Sequence, residues 1–197
     1  MRISRSYTVD DWKNLKFKSE EDWHRAVEML KDRLETRYLE HIRELLPRKT
    51  SGFVVLALDC ALIETLEQFK RGKRKTPQRE GREYFVSFLT SSGFAEHFNK
   101  DRAKIFYLQI RCGLLHQSEA EGISRIKRGG TLPLVSDTED RSSLIINKAA
   151  FHDLLEKVIA DYYEGLRSGN DQALRESFKR KMDAICRVES SEPESAA

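Results

Sequence analysis

Phe106-Tyr107-Leu108-Gln109-Ile110-Arg111-Cys112-Gly113-Leu114-Leu115-His116-Gln117 is an apolar run that carries one arginine and, five positions on, one histidine. Asn99 stands ahead of it as an N-cap, so the run reads as the second half of a helix that ends near Gln117. At 100° per residue, Ala103, Phe106, Ile110, Gly113 and Leu114 form one apolar stripe, the side that faces a core. Ile105, Leu108, Cys112 and Leu115 form a second stripe on the opposite side. Arg111 and His116 flank that second stripe, separated by about 140° around the axis. A surface helix has no use for two apolar stripes. Either the helix is buried on all sides, or the second stripe packs against another copy of itself across a two-fold axis. In the dimer, each protomer places Arg111 and His116 on the edges of one shared groove.

The flanking sequence is patterned as helix almost throughout. Ser19-Glu20-Glu21-Asp22 has the form of a capping box, and Trp23, Val27, Leu30, Leu34, Tyr38, Ile42 and Leu45 then recur at steps of three and four until Pro47. Ser51 to Phe69 is apolar on nearly every face, the mark of a helix in the middle of a bundle. A shorter helix runs from Glu83 to Thr90. Asn147 caps a helix with Phe151, Leu154, Leu155, Val158, Ile159, Tyr162 and Leu166 on one face, closed by Gly169, and a last helix spans about Asp171 to Arg187. Between Gly122 and Asn147 the period changes. Ile123 to Ile126 and Leu132 to Val135 flank Gly129-Gly130 as a hairpin, Pro133 argues for an edge position, and Leu144 to Ile146 reads as a third short strand. The expected architecture is mainly α, a helical bundle in one domain over 1–188 with a small β-hairpin insertion at about 122–147. The Ser- and Glu-rich tail 189–197 is expected to be disordered.

The 197 residues suffice for one substantial core. The formal net charge of +3 leaves acids and bases nearly matched, so a basic surface has to come from clustering. No signal-peptide core and no stretch of about 18 apolar residues is present, which predicts a cytoplasmic protein with no membrane partner. Cys60, Cys112 and Cys186 are few, odd in number and set in helical patterns. They are expected as reduced thiols, two of them packed in a core, with no zinc site.

Asp59 and Glu64 lie within the most apolar helix and need a cationic or hydrogen-bonding partner there. Arg111, Arg102 and His116 are the candidates. Such a pair merely orients helices, or it holds Arg111 or His116 in place; Asp59 reads as orienting and Glu64 stays open. Taken singly, Arg111 is equally well half of a salt bridge and His116 a helix C-terminal cap. Lys70, Arg71, Lys73, Arg74 and Lys75 open a basic loop that runs to Arg82 and is either a solvated connector or a set of phosphate contacts.

The Arg111-Cys-Gly-Leu-Leu-His116-Gln run resembles the motif helix of the HEPN superfamily, whose ribonuclease members carry an arginine, four to six residues, then a histidine near the end of a core helix. The resemblance covers roughly Glu20 to Gln117 and the helix after Asn147, the hairpin region being an insertion. It implies metal-independent, cofactor-free cleavage of RNA by a homodimer, with Arg111 and His116 catalytic; beside them Asp59, Glu64 and Cys112 are expected to support or orient, and Lys70, Arg71, Lys73, Arg74 and Lys75 to contact the RNA. It also implies roles in bacterial defence or toxin–antitoxin pairs, the latter with an antitoxin or other protein partner. Cys112 departs from the polar residue common after the arginine, and cysteine is a weak donor. A catalytically inactive dimer that binds a nucleotide or protein partner is the alternative. A regulatory subunit of a nucleotidyltransferase-type toxin–antitoxin pair is a third reading.

Overall fold

The computed structural model describes residues 1–127 and 132–188. Gly129-Gly130, the centre of the expected hairpin, and the tail 189–197 lie outside them. In chain order the elements are α1 (Val9–Lys13), α2 (Glu20–Leu34), a π-helical turn (Glu35–Leu39), α3 (Glu40–Leu45), α4 (Gly52–Arg71), α5 (Gly81–Ser91), a 3₁₀ turn (Gly93–Glu96), α6 (Lys100–Ile105), a second π-helical segment (Phe106–Cys112) and α7 (Gly113–Gln117). They continue with β1 (Arg125–Lys127), β2 (Val135–Asp137), β3 (Leu144–Asn147), α8 (Lys148–Ser168) and α9 (Gln172–Cys186). The protein is mainly α with a small β insertion. No helix among the described residues is long and apolar enough to cross a membrane.

The chain divides into two compact units. One comprises Met1–Arg37, Gln68–Lys75 and the chain from Tyr162 onward; the other comprises Tyr38–Glu67 and Thr76–Asp161. In the first, Trp12 packs on Phe17 and Phe178, Phe17 on Trp23, and Phe69 on Phe178. Its polar ties are specific. Trp12 Nε1 donates to Asp183 at 2.8 Å, and Arg175, over the Trp23 ring, donates to both Glu20 oxygens and to the carbonyls of Leu166 and Arg167. Only Arg offers a planar fork able to serve carboxylate and carbonyls at once.

The second unit is built on phenylalanine. Phe85, Phe88, Phe94, Phe98, Phe106 and Phe151 are buried, and the Phe106 and Phe151 rings stack with centroids 5.2 Å apart. Asn99 caps α6 as its position implied, accepting from the amides of Asp101 and Arg102. Asn147 likewise accepts from Ala150 N. Ser19, in the first unit, forms only half of a capping box: its hydroxyl accepts from Asp22 N, but the Asp22 carboxylate turns to Lys18 N.

The sheet corrects the expected hairpin. Its order is β1-β3-β2, with β1 parallel to β3 and β2 antiparallel to it, so β1 and β2 are not paired with each other. The antiparallel turn is Thr138–Ser143, where Thr138 N donates to Ser143 O and the Asp140 carboxylate accepts from the Thr138 and Ser142 hydroxyls. Pro133 precedes β2, an edge strand, as a residue without an N–H must. Two side chains fasten this sheet to the helix before it. Arg102 grips Asp137 with Nε at 2.9 Å and Nη2 at 2.8 Å, while Gln109 donates to Ser142 O and accepts from the Ser124 hydroxyl.

Candidate functional site

The motif helix is not one uniform helix. Phe106–Cys112 is π-helical, with its hydrogen bonds closing one residue later than in an α-helix, and π turns recur at functional positions. The inner stripe is nevertheless the expected one: Ala103, Phe106, Ile110, Gly113 and Leu114 are all buried. On the second stripe Ile105 and Cys112 are half-buried, whereas Leu108 and Leu115 are 49% and 47% exposed. The helix is thus buried on one side and presents apolar side chains to solvent on the other.

Arg111 sits at the end of the π segment with its side chain only 17% exposed. Its Nη2 donates to Glu64 Oε2 at 3.1 Å, and its guanidinium lies 5.5 Å from the centroid of the Tyr107 ring and 6.0 Å from that of Phe85. Glu64 in turn accepts at Oε1 from the Thr76 hydroxyl at 2.7 Å. Burial works against the cation, and the Glu64 carboxylate outweighs it, so the guanidinium holds its proton more firmly than a free arginine. The pair fixes the plane of the fork against two aromatic faces, each such contact adding about 0.5–1 kcal/mol. Arg111 Nε is buried without a hydrogen-bond partner, and the Cys112 thiol adds to the hold on the guanidinium.

His116 lies in the last turn at the helix end, exposed, and forms no hydrogen bond or ion pair among the described residues. The chain just beyond it explains its position. Ser118 adopts a left-handed conformation (φ 58°) and turns the backbone around, so that Glu119 N donates to Gly113 O and Glu121 N to Gln109 O at 2.8 Å. This return needs a residue without a side chain at 113. A Cβ there would overlap the Glu119 carbonyl oxygen and stand 3.1 Å from Glu121 N. The glycine of the Arg-Cys-Gly-Leu-Leu-His run therefore lets the returning backbone close on the helix one turn before His116.

The expected partners divide. Glu64 joins Arg111, one of the three candidates, whereas Arg102 is committed to Asp137. Asp59 meets none of the three. It is fully buried beside His152, with Oδ1 2.8 Å from Nδ1, and its carboxyl is pushed up by burial against the opposing pull of that histidine. Asp59 Oδ2 and His152 Nε2 have no hydrogen bond, although Glu156 Oε1 lies 3.7 Å from Nε2. Asp59 thus ties α4 to α8 away from Arg111 and His116. His152 was legible: it stands three and seven residues before Leu155 and Ile159, on the buried side of α8. Thr76 and Tyr107 gave no such signal.

Cys112 is half-buried beside Tyr107, whose phenol is pushed up first by burial and then by that thiol. Cys60 and Cys186 are buried and unpaired by disulfide, and burial raises both thiols. Lys70, Arg71, Lys73, Arg74 and Lys75 belong to the first unit, whereas Arg111, His116, Glu64 and Asp59 belong to the second. Among the described residues no three His, Cys, Asp or Glu side chains are grouped as a metal site requires. No protein-family model, curated protein or solved structure matches the chain.

Proposed function

We propose that this chain is a metal-independent endoribonuclease of the HEPN type, active as a cytoplasmic homodimer, with Arg111 and His116 as its catalytic pair. The observation that carries the reading is the contrast at one helix end: a guanidinium held by Glu64 and two aromatic rings, then an exposed imidazole with no partner among the described residues. Imidazole is the side chain best suited to take a proton and give one up in the same reaction. His116 takes the proton of the ribose 2′-hydroxyl as that oxygen attacks the adjacent phosphorus. The phosphorus–5′-oxygen bond breaks, the leaving oxygen takes a proton from the partner's His116, and a 2′,3′-cyclic phosphate and a 5′-hydroxyl end result. Arg111 offers Nη1 to the phosphate while Glu64 holds Nη2, and so stabilises the charge that builds in the transition state. The exposed Leu108 and Leu115 are the surface on which the second protomer packs.

One observation favours the catalytically inactive dimer: Glu64 already occupies half of the Arg111 fork, as it would in a group kept for holding helices together. Incubation with labelled RNA in EDTA separates the two. Cleavage by the wild type that is abolished in both Arg111→Ala and His116→Ala variants of equal thermal stability supports the nuclease. Intact RNA of every class tried leaves the binding module, for a nucleotide or a protein such as an antitoxin. Sedimentation of Leu108→Glu/Leu115→Glu tests the dimer, which should fall to monomer.

A further inference from the structure

Thr76-Pro77-Gln78-Arg79-Glu80-Gly81 completes the connector between α4 and α5 and touches both of the groups that support Arg111. A residue before proline is confined to extended backbone, so Pro77 limits how Thr76 is presented. The segment then turns sharply: Glu80 N donates to Pro77 O at 3.1 Å, and Arg79 adopts a left-handed conformation (φ 73°) that is sterically unfavourable for a residue with a Cβ. At its far end Gly81 lies against the Tyr107 hydroxyl, where a Cβ would stand 2.8 Å from that oxygen. At its near end the Thr76 hydroxyl donates to Glu64 Oε1 at 2.7 Å. Tyr107 and Glu64 are the ring and the carboxylate that flank the Arg111 guanidinium.

The bond from Thr76 bears on what the guanidinium has left to offer. A planar guanidinium and a planar carboxylate that meet without constraint favour two parallel hydrogen bonds. Here they form one, Nη2 to Oε2 at 3.1 Å, while Oε1, the oxygen that would complete the pair, is turned to Thr76. The Cys112 thiol, the guanidinium's other hydrogen-bonding neighbour, is a weak acceptor that an oxyanion outcompetes. The Arg111 and Glu64 side chains are 17% and 24% exposed, so an anion that reaches them meets a partly desolvated fork, where each hydrogen bond counts for more than in water. A fork closed by its own carboxylate through both oxygens leaves little to a second anion; a fork held by one bond stays open.

We propose that Thr76 is a positioning residue of the Arg111 site: it holds Glu64 by one oxygen, so that the carboxylate steadies the guanidinium through a single bond and leaves the fork able to receive a phosphate oxyanion. That the oxyanion belongs to RNA rests on the ribonuclease reading; the hold of Thr76 on Glu64 does not. Gly81 completes the arrangement by letting the same segment lie on Tyr107, which fixes Thr76 relative to the ring under Arg111.

The test follows the Arg111 Nε–Hε resonance of the full-length protein by NMR, assigned by its loss in Arg111→Lys, as inorganic phosphate is added. Thr76→Val keeps the shape of the side chain and removes its donor, whereas Thr76→Ser keeps the donor. Thermal melting verifies the fold of each, and Thr76→Ala replaces the valine variant if that one does not fold. Handing Oε1 to the fork should weaken phosphate binding by about tenfold, the worth of one hydrogen bond to a charged group, and Thr76→Ser should bind as the wild type does. A merely structural threonine would give the same loss whatever stands at position 64, so the decisive comparison is made in Glu64→Gln. An amide has one oxygen and cannot close the fork through two, so Thr76→Val should change nothing there. Wild-type affinity in Thr76→Val, an equal loss in the Glu64→Gln background, or a wild-type Arg111 resonance that ignores phosphate overturns the proposal. Phosphate binding that depends on Thr76 in a chain that leaves RNA intact keeps the proposal and sinks the nuclease. RNA cleavage with the same kcat and KM in Thr76→Val as in wild type keeps the nuclease and overturns the role of Thr76.

Discussion

Gly113→Ala is a substitution for which two physical rules give opposite signs. In a helix interior alanine is better than glycine by about 1 kcal/mol, so intrinsic propensity predicts stabilisation. Position 113, however, lies under the returning segment, where a Cβ would overlap the Glu119 carbonyl oxygen. Relief requires the backbone of 119–121 to retreat by on the order of 1 Å to ordinary contact distance. Two hydrogen bonds span that gap, Glu119 N to Gly113 O at 3.3 Å and Glu121 N to Gln109 O at 2.8 Å. At about 0.5–1.5 kcal/mol net each, with overpacking strain of about 1–3 kcal/mol, the loss exceeds the propensity gain. The expected result is destabilisation by about 1–5 kcal/mol in urea, together with faster hydrogen exchange at the Glu121 amide. A variant more stable than wild type by about 1 kcal/mol, with Glu121 protection intact, would refute the close approach and with it the way His116 is presented.

Two further outcomes concern the second unit. Asp59→Leu or His152→Leu alone leaves one buried polar partner stranded and should cost about 3–5 kcal/mol, whereas the double variant should cost far less than the sum; additive losses in chemical denaturation would refute a coupled pair. The Arg102 guanidinium holds the Asp137 carboxyl below the usual carboxylate range. The unfolded chain therefore binds the proton first as pH falls, so the contribution is full above the ordinary carboxylate value and is lost as pH drops through the depressed one. Both groups are about one-third exposed, which limits the effect to under about 1 kcal/mol. NMR titration should find the Asp137 midpoint moved upward in Arg102→Gln, and no movement would refute the pairing.

The helices were legible because burial imposes a period on the sequence, and the expectations that failed lie where the period itself changes. In the first helical pattern the expected inward residue after Leu34 is Tyr38, but Leu39 is buried and Tyr38 half-buried. A step of five is what the π turn Glu35–Leu39 produces, and steps of four through 30, 34, 38 and 42 conceal it. The strands were placed nearly correctly while their pairing was not. Alternation marks a strand but says nothing of its neighbour, and here β3 inserts between two strands that precede it in the chain.

The site divides along the same line between local and non-local information. That Asp59 and Glu64 must have partners follows from their surroundings alone, since an unpaired carboxylate in an apolar helix costs more than the fold can spare. Which partner each takes depends on pairings 93 and 47 residues apart. The second pairing bears on function. Glu64 is the reason Arg111 can be sheltered, and under the proposed ribonuclease reading it is also the group that competes with phosphate for its fork. Glu64→Gln keeps the shape of that contact while weakening the competition, so its effect on RNA cleavage separates a carboxylate that orients the guanidinium from one that restrains it. Lower activity means that orientation dominates; higher activity means that Glu64 occupies the position into which a phosphate must move.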